Sequence, residues 1–70
     1  MEPELLDVLR EAAKTRQRKE ELERAIGRTL RRRSLDFKVY VQIMSELRGI
    51  AGADMISLDE AAAKLLAEKK

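Results

Sequence analysis

Eight consecutive residues, Lys14-Thr-Arg-Gln-Arg-Lys-Glu-Glu21, carry no apolar side chain, and they lie between two segments that are plainly amphipathic. Before them Leu5, Leu6, Val8, Leu9, Ala12 and Ala13 recur at helical spacing. After them Leu22, Ala25, Ile26, Thr29 and Leu30 do the same. A fold must bury both stripes while leaving the middle in water or against a polar partner. Nothing in the polar stretch breaks a helix, and Glu20 to Arg24 is a favourable i,i+4 pair. Pro3 suits a first helical turn, where its missing N–H costs nothing, and Glu2, Glu4 and Asp7 suit the positive end of a helix dipole. The pattern predicts one long helix over residues 3 to about 32. A turn near Thr15 dividing it in two is the main alternative.

The run Arg31-Arg-Arg-Ser34 ends this element, with Ser34 placed to cap the next. Over residues 35–51 the pattern has two readings. Leu35, Val39, Ile43, Leu47 and Ile50 form a helical stripe, with Tyr40, Met44 and Ala51 beside it. Leu35, Phe37, Val39, Val41 and Ile43 also alternate strictly, as in a strand. A strand needs a partner, and the chain offers no second good candidate, so the strand reading requires pairing across a dimer. The helix reading is preferred. Gly49 and Gly52 suit C-terminal cap positions. Ser57-Leu-Asp-Glu60 has the form of a capping box, with Ile56 at the hydrophobic-staple position. The last helix follows from 58 to about 69, with Leu58, Ala61, Ala62, Leu65 and Leu66 on its apolar face and Lys69-Lys70 at its end.

The predicted fold is all-α: a helix over 3–32 and two shorter ones over 35–50 and 58–69, in one domain spanning residues 1–70. A chain this short buries only about 60% of the surface exposed when unfolded, so reinforcement is needed. The sequence has neither Cys nor His, which removes disulfides and thiolate or imidazole metal sites, and no carboxylate spacing suits a calcium loop. No metal and no cofactor are expected. Association into a homodimer is, with Leu22, Ile26, Leu30, Leu35, Val39, Ile43 and Leu47 as core or dimer interface. Gly27, inside a helix, either admits a close helix crossing or is a tolerated defect of about 1 kcal/mol.

Charge is segregated. Residues 10–33 hold ten Lys or Arg against four Glu, while the remainder of the chain nearly cancels them to a net of +2. Arg28, Arg31, Arg32 and Arg33 fall within six residues with no carboxylate nearby in sequence, and Arg28, Arg31 and Arg32 share a helix face. Clustered guanidinium groups bind phosphates bidentately and gain from counterion release on a polyanion. Arg16, Arg18 and Lys19 form a second patch, partly neutralised by Glu20, Glu21 and Glu23. The leading functional expectation is a small DNA- or RNA-binding, transcription-associated homodimer contacting phosphates through these seven residues. The rival is a helical adaptor that meets an acidic protein surface, or a structural subunit of a larger assembly. The arginine cluster also has a plainer reading, in which the cations complement a helix C-terminus.

An enzyme is not expected. No His or Cys is present to titrate near neutral pH, Ser34, Ser45 and Ser57 lack a base, and no Gly-rich phosphate loop occurs. No apolar run approaches the roughly 20 residues of a membrane span, and the acidic start is unlike a secretory signal. A cytoplasmic protein is the expectation. A charged fraction of 40%, with only Gln17 and Gln42 as amides, resembles a thermophile's composition.

Residues 35–69, taken as strand, short helix, loop and helix, resemble the ribbon-helix-helix family of dimeric repressors. That resemblance implies a strand paired across the dimer, with Asp36, Lys38, Tyr40 and Gln42 on the DNA-reading face. Separately, Met55-Ile-Ser-Leu-Asp-Glu-Ala-Ala-Ala-Lys-Leu-Leu66 is similar to the opening of many helix-turn-helix modules.

Overall fold

In the computed structural model, which describes residues 1–68, the polar stretch is where the chain turns back on itself. Four helices and no strand form among the described residues: α1 (Pro3–Thr15), α2 (Leu22–Arg32), α3 (Phe37–Asp54) and α4 (Leu58–Glu68). The molecule is all-helical, with four helices where three were expected. The single helix over 3–32 does not form. At 1.5 Å per residue it would run about 45 Å, well past the longest dimension of the fold, 32 Å. Folding back at residues 16–21 instead lays the apolar face of α1 on that of α2, the most extensive helix pair, and α3 pairs similarly with α4.

One contiguous core collects side chains from all four helices. Leu9, Ile26, Ile43 and Leu47 are fully inaccessible, and Leu5, Val8, Leu22, Leu30, Met44 and Leu65 are buried around them. Thr29, the one buried polar residue among those described, donates its hydroxyl to the Ala25 carbonyl at 2.9 Å, so it enters the core without an unmet donor. Of the residues expected at a core or dimer interface, Leu22, Ile26, Leu30, Ile43 and Leu47 lie inside this core. Val39 is half-buried against it, and Leu35 is 40% exposed.

The preferred helix over 35–50 forms as α3, beginning at Phe37, and the alternative strand over 35–41 does not form. The helical stripe prevails because Val39, Tyr40, Ile43, Met44, Leu47, Ile50 and Ala51 reach the common core together, whereas a strand would find no partner in the chain. The cap is Asp36, whose carboxylate accepts from the Lys38 backbone N–H at 2.8 Å. Ser34 is not the cap. It adopts a left-handed conformation (φ 56°) that ends α2, with its N–H donating to the Arg31 carbonyl and Leu35 N–H to the Leu30 carbonyl.

Gly49 and Gly52 do not end α3 either. The helix continues through them to Asp54, and Met55 takes the left-handed position (φ 55°), with Ile56 N–H reaching the Ala51 carbonyl. The Ser57 cap forms, while the Glu60 carboxylate meets the Ser57 hydroxyl and not its backbone N–H, so half of the capping box is made. Glu60 N–H donates to the Ser57 hydroxyl at 3.1 Å, the Ser57 hydroxyl meets the Glu60 carboxylate at 3.3 Å, and Ile56 packs on the core. Lys69 and Lys70 lie outside the described residues.

Candidate interaction surface

The loop between α1 and α2 is a polar knot centred on Glu20. Arg28 donates two hydrogen bonds to the Glu20 carboxylate, at 2.7 and 3.2 Å, and a third to the Thr15 carbonyl at 3.1 Å, closing the C-terminal end of α1. Glu20 also accepts from Gln17 N–H at 2.9 Å. The Arg28 hydrogen bonds, followed by that from Gln17, hold the Glu20 carboxyl below its ordinary range, and the same pair raises Arg28. The expected partner of Glu20 was Arg24, four residues on. Glu20 and Arg28 are eight residues apart, about 12 Å of rise on a continuous helix, so this contact requires the break. Lys19 supplies the left-handed turn residue (φ 70°).

The arginine cluster finds its carboxylates on α1. Arg33 reaches Asp7 at 3.0 Å and also pairs with Glu11, while Arg32 pairs with the other Glu11 oxygen. That oxygen is shielded from solvent. Arg16 donates to the Glu20 carbonyl and to Asp59 of α4 at 2.8 Å, tying the first helix pair to the second. Four of the seven expected phosphate ligands (Arg16, Arg28, Arg32 and Arg33) are therefore engaged within the chain. Arg18, Lys19 and Arg31 are exposed and have no carboxylate partner among the described residues. These three do not form one compact cluster in sequence: two sit on the α1–α2 loop and one near the end of α2.

The second unusual surface is the outer face of α3, which sequence reasoning did not single out. Phe37 is 68% exposed, Val41 52% and Met55 91%. Along this face lie Ser45, Gly49 and Gly52, all exposed. A Cβ built on either glycine, or on Gly27, meets nothing within 4 Å, so no helix of the chain crosses there. Phe37 stacks on Tyr40 with ring centroids 5.2 Å apart, which fixes the ring on the surface. A signal was present in the sequence: the alternating set contains two residues, Phe37 and Val41, that fall off the helical stripe. Once α3 is a helix, those two must face outward.

The charges of α3 are asymmetric in their partners. Its carboxylates are all used: Asp36 caps the helix, Glu46 meets the N-terminal ammonium at 3.4 Å, and Asp54 pairs with Lys64 at 2.5 Å, raising the Lys64 pKa. Its cations, Lys38 and Arg48, are exposed and have no carboxylate partner among the described residues. Among those residues no cluster of three or more potential metal ligands occurs, and no helix is long and apolar enough to cross a membrane. No known protein family, curated protein or solved structure matches the chain.

Proposed function

We propose that this chain is a non-catalytic protein-interaction module whose docking surface is the outer face of α3. The observation that carries this reading is the exposure of Phe37 and Val41 on the outer face of α3, with Met55 exposed at its C-terminal cap. Large apolar side chains clustered on the surface of so small a chain are a feature of binding surfaces. Lack of His and Cys supports the non-catalytic part. The dimer first expected was to reinforce a short chain, through apolar stripes most of which the chain buries within itself. A second copy is left as one of the possible occupants of the α3 face.

Nucleic-acid binding is the second reading, favoured by Arg18, Lys19 and Arg31, which are exposed and unpaired among the described residues. It would use fewer phosphate contacts than the sequence implies, and so a shallower dependence on salt. One experiment separates the two. A photo-crosslinking residue is placed at Phe37 or at Arg31 in the intact chain within its own cells. The interaction reading expects protein adducts from Phe37 that disappear when Val41→Lys is added, and none from Arg31. Nuclease-sensitive adducts from Arg31, with none from Phe37, would overturn it in favour of the second reading.

A further inference from the structure

We infer that the partner of the α3 face is an acidic amphipathic helix, read by Lys38 and Arg48. The inference rests on the proposed docking role of that face and adds the chemistry of its occupant. An 18-residue helix offers about 27 Å of length, enough to receive another helix along its side. Phe37 and Val41 supply apolar anchors at the N-terminal half, and Met55 at the far end adds a deformable one. Between them Ser45, Gly49 and Gly52 carry almost no side chain, so a second backbone can approach closely.

The sign of the partner follows from the charge asymmetry. Every carboxylate on or capping α3 already has a partner within the chain, and both cations have none among the described residues. Lys38 and Arg48 are separated by ten residues, about 15 Å of rise. A helix laid along this face therefore gains most if it carries carboxylates with that separation beside an apolar stripe. A second copy of the same chain is a poorer occupant. Arg48 sits near the middle of the outer face, so an antiparallel pairing of α3 with itself brings two Arg48 side chains close with no free carboxylate of α3 to neutralise them.

The test uses the full chain and two synthetic helical peptides matched to α3 in length. Both carry the same leucine stripe; one is flanked by Glu and the other by Lys. Fluorescence anisotropy should show the Glu peptide bound about tenfold more tightly than the Lys peptide, as two partly screened ion pairs allow. Higher salt should shrink that preference. Lys38→Ala with Arg48→Ala should bring the preference close to unity, while Phe37→Ser should weaken both peptides alike.

Equal affinity for the two peptides, or a preference untouched by the Lys38→Ala, Arg48→Ala pair, would overturn the inference. So would failure of the Glu peptide to bind. Light scattering of the chain alone should give the monomer mass; a stable dimer dispersed by Val41→Lys would show that a second copy is the occupant. In each of these failures the Phe37 crosslinking experiment still decides whether α3 is a docking surface at all.

Discussion

The C-terminal end of α2 and the outer face of α3 invert the usual relation between polarity and partnership. At the first, Arg28, Arg32 and Arg33 look from the sequence like a surface prepared for a polyanion, and the chain itself satisfies them with Glu20, Glu11 and Asp7. At the second, Phe37 and Val41 look like core or strand residues, and they are left in water. A basic run advertises a polyanion site only if the fold withholds carboxylates from it. Here α1 supplies Glu11 and Asp7 to Arg32 and Arg33 from 21 to 26 residues away, and the α1–α2 loop supplies Glu20 to Arg28 from eight.

The largest expected effect tests the core against which both regions are mounted. Ile26→Ala should cost about 2–5 kcal/mol of stability by denaturant titration, because the side chain is fully enclosed and its removal leaves a cavity. Arg28→Ala should cost less but lower the melting midpoint clearly, since it removes two hydrogen bonds to Glu20 and one to Thr15 together. If the arginine edge were a free binding surface, the midpoint would not move. The same lock predicts an acid dependence. With the Glu20 carboxyl held below its unfolded value of 4.5, its stabilisation is complete above that value and is lost as pH falls through the lower folded one. Glu20→Gln should flatten the acid side of the stability–pH curve.

Smaller effects come from the backbone. Gly27→Ala should raise stability by about 1 kcal/mol, since the glycine sits inside a helix with open space at its Cβ. Ser34→Gly should add about as much, because Ser34 holds a left-handed conformation that glycine adopts without cost. The smallest change belongs to the α3 face. Phe37→Ser should alter stability by no more than about 0.5 kcal/mol while abolishing binding through that face. A large loss of stability would show that the ring belongs to the fold, and the contrast between the two regions would collapse.

Features that depend on a few adjacent residues were legible in the sequence. The Ser57 cap and the amphipathic stripes of α1, α2 and α4 are set by neighbours three or four positions away, so pattern alone finds them. The turn at residues 16–21 was legible only as the alternative to one long helix, a break near Thr15, since every residue in it tolerates a helix and the burial of α1 against α2 forces the break. The caps were misplaced for a related reason. Left-handed residues were sought among the glycines, but Lys19, Ser34 and Met55 hold those positions and the glycines lie inside helices. Partners of the arginine cluster were invisible because they arrive through the fold-back. The exposed α3 face was half legible: its residues stood out as alternating, but their outward direction followed only once the helix was fixed.

Among the described residues most ion pairs lie within one helix pair, α1–α2 or α3–α4. Glu20 and Arg28 are eight residues apart and Asp54 and Lys64 ten, whereas Arg16 and Asp59 are separated by 43. Closing a short loop costs less chain entropy than closing a long one, and low contact order favours rapid folding. The α1–α2 and α3–α4 pairs should therefore form early and separately, and their docking should set the folding rate. Arg16→Ala, which cuts a tie between the pairs, should then speed unfolding more than it slows folding.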